Sequence, residues 1–221
     1  HNFETINFEK ENRIARITLN RPEVHNAFNK KLIEEFLLIL KALEKDMETR
    51  VVIISGEGKS FCAGADLNWM REIINYSYEA NLEESNNISR LMHSLYSLPI
   101  PTIARINGAA LGGGCGFVSA CDIAICHDDA LFSLSEVKIG LIQACIGPFV
   151  INRLGESKTR EMFLTGRRIN GKEAEKIGLV NYSVPLSSLD EKISEFVNLI
   201  ITGGKEAQKK CKELISTLKF M

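Results

Sequence analysis

Three short segments carry residue types suited to chemistry at an oxygen that gains negative charge. The first, FCAGADL at 61–67, is built from small residues: Ala63, Gly64 and Ala65 have little or no side chain to keep a ligand from their backbone N–H groups. A tight turn beneath a helix would use the same residues. The second, INGAALGGGCG at 106–116, runs a strand into Gly112, Gly113 and Gly114 where a helix should begin. Backbone N–H groups at such a positive helix end favour a phosphate or an oxyanion. The segment lacks both the GxxxxGK[ST] of a phosphate loop and the GxGxxG of a dinucleotide site, and consecutive glycines also serve close helix packing. The third, SLSEVKIGL at 133–141, sets Glu136 in a semi-apolar stretch. A carboxyl in a partly apolar pocket has a raised pKa and exchanges protons near neutrality, whereas a surface Glu136 would pair with Lys138.

The elements that must position these segments can be read from hydrophobic period. Residues 3–9 and 13–19 alternate as a strand hairpin joined by 10–12. Asn29 stands as N-cap before Ile33, Phe36, Leu37, Leu40, Leu43 and Met47, one buried helix face. Val51, Val52, Ile53 and Ile54 form an unbroken β-branched run, expected of a strand covered on both sides. The polar stretch 75–87 leads into Ile88, Leu91, Met92, Leu95 and Leu98, a helix stopped by Pro99 and Pro101. Short buried strands follow at 103–106 and 122–126, giving a ββα-like rhythm. After Pro148 the chain turns mainly helical, over 154–166, 171–178 and 189–218.

Composition narrows the function classes. The 221 residues include 27 Lys and Arg against 28 Asp and Glu, with no cationic surplus to hold a nucleic acid or an anionic membrane. Apolar runs such as 37–40 and 51–54 fall far short of the roughly 18–20 residues that cross a bilayer. The first 20 residues, HNFETINFEKENRIARITLN, have neither a basic region with an apolar run nor a small-residue cleavage site, so a cytoplasmic location is expected. Six cysteines (62, 115, 121, 126, 145 and 211) lack paired zinc spacing and read as reduced, mostly buried thiols. None of the four histidines shows ligand spacing, and no metal is expected.

Taken in order, six blocks resemble the crotonase (enoyl-CoA hydratase/isomerase) superfamily: NRPEVHNAF (20–28), FCAGADLNWM (61–70), PTIARINGAALGGGCG (101–116), ACDIAI (120–125), SEVKIGL (135–141) and LTGRRINGKEAEKIGLV (164–180). The resemblance runs from the hairpin to about residue 218, and FCAGADLNWM with SEVKIGL look most like the bacterial methylglutaconyl-CoA hydratases of leucine and isoprenoid catabolism. It implies an α/β fold: a spiral of stacked ββα turns over 1–152, with a nearly perpendicular pair of sheets, and a helical C-terminal region over 153–221 that forms trimers, paired into hexamers. Members usually carry further C-terminal helices, which this chain would lack.

The resemblance also assigns roles. Ala65 and Gly113 match the two backbone N–H donors that hold the thioester oxygen, and Glu136 matches a catalytic carboxylate. Glu23, Val24, His25, Ala27, Ala63, Gly64, Asp66 and Leu67 match positions along the CoA path, with Gly112, Gly116 and Gln143 lining the substrate side. Trp69 and Met70 would wall the acyl site. Hydratases with two glutamates place one directly after GGGC, where this chain has Gly116. A single acid suffices to move a proton between carbons, so a Δ3,Δ2-enoyl-CoA isomerase stands beside the expected hydratase, and a non-catalytic CoA-binding subunit is the alternative of another class. Gln143 falls in a stretch where many relatives are glycine-rich; it could hold a water, hold a second substrate carboxylate, or simply form pocket wall. Arg71, Arg105 and Lys138 are the cations near such a carboxylate in sequence. The acyl-CoA thioester is the expected partner, CoA arriving as part of the substrate, with no separate cofactor.

Overall fold

A computed structural model describes residues 3–218; His1 lies outside them. The chain opens as a hairpin, β1 (Ile6–Glu11) against β2 (Ile14–Leu19), with Glu11 opposite Ile14. That register leaves Asn12 and Arg13 as a two-residue turn at φ 51° and 68°, the twist a tight hairpin requires. β1 therefore starts later than expected and runs through residues 10 and 11 of the connector, while β2 starts one residue later than alternation alone suggested. Helix α1 (Lys30–Glu44) starts where Asn29 accepts a hydrogen bond from the Leu32 N–H at 3.0 Å, and it buries Leu32, Ile33, Phe36, Ile39, Leu40 and Leu43. Met47 matched the helical spacing, yet it lies past the end of α1 and is 77% exposed.

From β3 (Val51–Gly56) onward the chain alternates between two sheets. β3 lies parallel to β2 in the first sheet; β4 (Ser60–Cys62) starts the second, and α2 (Leu67–Ile73) and α3 (Tyr78–Tyr96) follow. β5 (Thr102–Ile106) returns to the first sheet, β6 (Ala109–Leu111) to the second, and α4 (Gly113–Ala120) closes that turn. β7 (Ile123–His127) and β8 (Phe132–Ser133) repeat the step before α5 (Gly147–Thr165). This is the expected ββα spiral. Parallel neighbours in each sheet force a crossover between them, and the helices are those crossovers.

Val52 and Ile54 enter the main core, while Val51 and Ile53 join Ile103 and Ile125 in a second core beneath α7 (Leu189–Thr202). Burial on both faces accounts for the unbroken apolar run of β3. The polar stretch 75–87 is already helical from Tyr78, because Ser77 caps α3 and the first turns of that helix face solvent.

The C-terminal third holds more than helices. β9 (Arg168–Ile169) pairs antiparallel with β8, α6 (Gly171–Ile177) follows, and β10 (Tyr182–Val184) pairs parallel with β7. The sheet orders are β1-β2-β3-β5-β7-β10 and β4-β6-β8-β9. Position 152/153 lies within α5, which kinks at Gly155, and Met162, Ile169, Ala174, Leu179 and Val180 share the main core. The helical stretch 189–218 is two helices, α7 and α8 (Lys205–Leu218), broken where Gly203 leaves the helical conformation.

Candidate active site

The small-residue segment becomes a turn pressed against the glycine triplet. Phe28 forms a parallel bridge with Ala65: the Phe28 N–H donates to Gly64 O at 2.8 Å and the Asp66 N–H donates to Phe28 O at 2.9 Å. A bridge of this pattern uses the groups on either side of Ala65 and leaves its own N–H directed away from Phe28. Gly64, at φ 89°, admits no side chain without strain, and a Cβ there would lie 2.8 Å from Leu111 O and 3.3 Å from the Gly113 nitrogen. Gly113 is the first residue of α4, so its N–H has no acceptor within the helix. A Cβ on Gly113 would meet the Phe28 ring at 2.4 Å, so only glycine fits between that ring and the turn. The turn that carries Ala65 is thereby packed against the start of α4 at Gly113.

Residues not singled out in the sequence hold this turn. Asn26 is fully buried in the left-handed region at φ 57°; its amide donates to Glu57 O (2.9 Å) and Ser60 O (2.7 Å) while its oxygen accepts from the Arg21 N–H (2.9 Å). The Arg21 guanidinium donates to Ala27 O at 2.6 Å and to Asp66 Oδ2 at 2.8 Å. Asp66 Oδ1 in turn caps α2 by accepting from the Asn68 N–H at 2.8 Å. Burial would raise the Asp66 carboxyl, but the Asn68 N–H and the Arg21 charge outweigh it and hold it below its ordinary range. Asparagine's tolerance of positive φ was the one available signal for Asn26, whereas the Arg21–Asp66 pair spans 45 residues and has no local signature.

Of the residues on the expected CoA path, Glu23 and Val24 lie in a short 3-10 turn (Pro22–Val24), and His25 follows at φ 54° with its Nδ1 3.0 Å from Ser60 Oγ. The Ala63 N–H donates to His25 O at 3.0 Å, so loop 22–28 and turn 63–66 form one wall. Ala27 is buried, Ala63 half-buried, and Leu67 exposed at the start of α2. Trp69 is buried edge-on to Phe28 with ring centroids 6.3 Å apart, and Met70 is half-buried.

Glu136 reaches the glycine triplet at Gly112. It opens a 3-10 turn (Glu136–Ile139) directly after β8, and its Oε1 lies 2.9 Å from where a Cβ on Gly112 would stand. Gly112 adopts φ 49°, ψ −117°, so glycine serves both the backbone and the carboxylate's room. Glu136 Oε2 accepts from Gln143 Nε2 at 3.2 Å. Burial raises the Glu136 carboxyl above its ordinary range, against the lowering effects of its own backbone N–H and of Gln143. No ion pair joins it to Lys138, whose stem instead packs near Gly166. The arrangement sets a half-buried carboxyl with a raised proton affinity beside Gly112, one residue from the Gly113 N–H.

Gly116 stands apart. It is buried one turn into α4, where a Cβ would meet Ile146 Cγ2 at 2.4 Å and Met92 Cε at 3.3 Å. The place of a second acid is filled by hydrocarbon. Among the three cations, Arg105 donates to both oxygens of Asp190 on α7, at 2.6 and 3.2 Å, and so serves the far face of the sheet. Arg71 is exposed and donates to Asn68 Oδ1 at 3.2 Å, and Lys138 is exposed with its stem beside Gly166. A concavity of about 510 Å³ lined by Arg21, Lys30, Lys31 and Trp69 adjoins turn 63–66, while one of about 580 Å³ around Arg13, Arg50 and Lys205 holds none of the expected site residues. Among the described residues no three His, Cys, Asp or Glu side chains converge as metal ligands would, and no helix is long and apolar enough to cross a membrane.

Residues 9–218 match the family model described as enoyl-CoA hydratase/isomerase. The chain is 35% identical over 214 residues to a short-chain-enoyl-CoA hydratase of Clostridium acetobutylicum, covering 94% of this chain and 79% of that protein. It is 33% identical over 224 residues to a hydroxycinnamoyl-CoA hydratase-lyase of Pseudomonas fluorescens, covering 96% and 80%. Among solved structures, an enoyl-CoA hydratase from Shewanella pealeana superposes with a TM-score of 0.95 at 33% identity, covering 98% of this chain and 81% of that one.

Proposed function

The chain belongs to the enoyl-CoA hydratase/isomerase family, and from that premise we propose that it adds water across the 2,3 double bond of an enoyl-CoA thioester. The observation that carries the reading is Glu136 Oε1 beside Gly112, one residue from the Gly113 N–H against which the Gly64 turn packs. Addition of water to a conjugated thioester passes through an enolate. Donors fixed where that oxygen gains charge contribute on the order of 3–4 kcal/mol each to the barrier. In the proposed step Glu136 takes a proton from water, hydroxide bonds to C3, and the electron pair moves onto the thioester oxygen held by Ala65 and Gly113. Glu136 then returns the proton to C2, so one acid completes a net gain of one water. The carboxyl's raised affinity for protons suits this double duty.

Val24, His25, Ala27, Ala63, Gly64, Asp66 and Leu67 form the CoA side of the site, with Asp66 holding the turn in place through Arg21 and the Asn68 N–H. Gly112 and Gln143 lie on the substrate side, whereas Gly116 is packed behind Ile146 and Met92. The chemistry asks for no metal or redox cofactor beyond the CoA of the substrate. Assembly as a homotrimer or hexamer and a reducing, cytoplasmic setting, which suits six free thiols, complete the proposal. 3-Methylglutaconyl-CoA is the acyl group proposed first, on the wording of FCAGADLNWM and SEVKIGL.

Isomerisation is the second reading, favoured by the hydrocarbon that fills the second acid's place at Gly116. Turnover of 3-methylglutaconyl-CoA, crotonyl-CoA and a 3-enoyl-CoA, followed by absorbance and product mass, separates the readings. Gain of one water that is lost in Glu136→Gln supports the hydratase. A product of unchanged mass makes the protein an isomerase, and tight thioester binding without turnover makes it a non-catalytic CoA binder.

A further inference from the structure

The geometry of Gln143 points to a role beyond pocket wall. Its side chain is 7% exposed, and its Nε2 donates to Leu134 O at 3.1 Å and to Glu136 Oε2 at 3.2 Å. A backbone carbonyl can only accept, so the amide orientation is fixed: nitrogen faces Leu134 and Glu136, and both of its hydrogens are used. The amide oxygen therefore bonds neither group, and it shares one planar amide with the nitrogen that touches Glu136. Among the described residues it has no protein partner, and it is not one of the buried side-chain atoms left unpaired, so solvent reaches it.

We propose that Gln143 is the positioning residue for the attacking water: its nitrogen locks the Glu136 carboxylate, and its oxygen accepts a hydrogen bond from the water. This rests on the hydratase reading. The water gives one proton to Glu136 and points the other at Gln143 Oε1, which leaves an oxygen lone pair for C3. The hydroxyl bonds to C3, the alkene pair moves to the thioester oxygen, and the proton on Glu136 passes to C2. An outward-facing acceptor repels a carboxylate, so Gln143 does not hold a second carboxylate of the substrate.

The same few residues explain why an amide does this work. Gln143 O accepts from the Gly147 N–H at 2.7 Å at the entry to α5, and that turn drives Ile146 against Gly116. One short segment removes the room for a carboxylate on α4 and supplies a neutral acceptor beside the remaining one.

The test compares two reactions of one site: hydration of crotonyl-CoA, and exchange of the C2 protons of butyryl-CoA in D2O, which needs Glu136 and the two backbone donors but no bound nucleophile. Gln143→Met, near-isosteric and without an acceptor of comparable strength, is expected to lower kcat for hydration at least 30-fold, with KM within threefold and exchange reduced far less. Gln143→Glu, isosteric and keeping an acceptor, is expected to recover part of the loss. The acid limb of the hydration profile should move to higher pH in the Met variant, because the bond from Gln143 lowers the Glu136 carboxyl. Cys115 is the titratable side chain that feels the Glu136 charge, and its buried thiol is pushed too high to titrate in that range. Parallel loss of hydration and exchange, no loss of either, or a Glu variant no better than Met overturns the proposal. A wild type that exchanges or isomerises but never hydrates overturns it together with the hydratase reading, whereas failure in the variants alone leaves that reading standing.

Discussion

Replacing Gly116 by alanine tests whether hydrocarbon truly occupies the second acid's place. The new Cβ would lie 2.4 Å from Ile146 Cγ2 and 3.1 Å from Ile146 Cβ, with Met92 Cε at 3.3 Å. Ordinary carbon contacts lie at about 3.5–4.0 Å, so α4 and the entry to α5 must separate by roughly 1 Å. Overpacking of this kind costs about 1–3 kcal/mol. Alanine's better helix propensity offsets up to about 1 kcal/mol of it. The expected net loss is about 1–2 kcal/mol, a fall in Tm of roughly 2–8 °C for a chain of this size. Ile146→Ala alone should cost about 2–5 kcal/mol through lost burial and a cavity. Combined, the two should cost less than their sum by about 1–3 kcal/mol, because the alanine methyl enters the vacated space. Thermal and urea unfolding of the four proteins gives the cycle directly. A Gly116→Ala variant more stable than wild type, or a double variant that is simply additive, would refute the packing argument and reopen room for a carboxylate at 116.

Gly112→Ala places a Cβ 2.9 Å from Glu136 Oε1 at φ 49°, and should lower kcat at least tenfold while costing about 1–3 kcal/mol of strain; unchanged kcat would separate Glu136 from the crevice. Arg21→Met leaves Asp66 buried without its cation and should cost about 3–5 kcal/mol in chemical unfolding, with kcat falling as turn 63–66 loosens. Glu136 has a raised carboxyl, so the charge it acquires costs the folded state stability as pH rises from the unfolded value through the folded one. Glu136→Gln should therefore equal wild type in Tm near pH 4 and exceed it increasingly toward neutrality; a constant difference would contradict a desolvated carboxyl. Burial pushes the thiols of Cys62, Cys121 and Cys126 up to about 12, while Cys211 is exposed and Cys145 half-buried. Titration with a thiol reagent should give one fast group, one slower, and the rest only on unfolding; rapid reaction of more than two would contradict that burial.

Local pattern was enough for much of this molecule. The alternation of β2, the Asn29 cap with its apolar spacing, and the β-branched run of β3 each encode an element whose neighbours in sequence are its neighbours in space. Misreadings came where a long-range partner decided the outcome. The two-residue hairpin turn depends on cross-strand register, Met47 fits a helical period that α1 does not reach, and β9 and β10 are strands because β8 and β7 present open edges to them. Their three or fewer residues are too short to show a period of two.

The site divides in the same way. By itself the sequence determined a ββα-like rhythm, the glycine triplet, the small-residue turn and an acidic residue in a semi-apolar stretch, because each is a local pattern; the spiral came from what the family resemblance implies. Only the tertiary structure decided that the Ala65 turn meets Gly113, that Glu136 faces Gly112 and not Lys138, that Arg105 is spent on Asp190, and that Gln143 turns its oxygen outward. Those outcomes depend on distances and hydrogen-bond directions across loops, from 7 residues for Gln143 and Glu136 to 85 for Arg105 and Asp190. No local period or propensity carries that information.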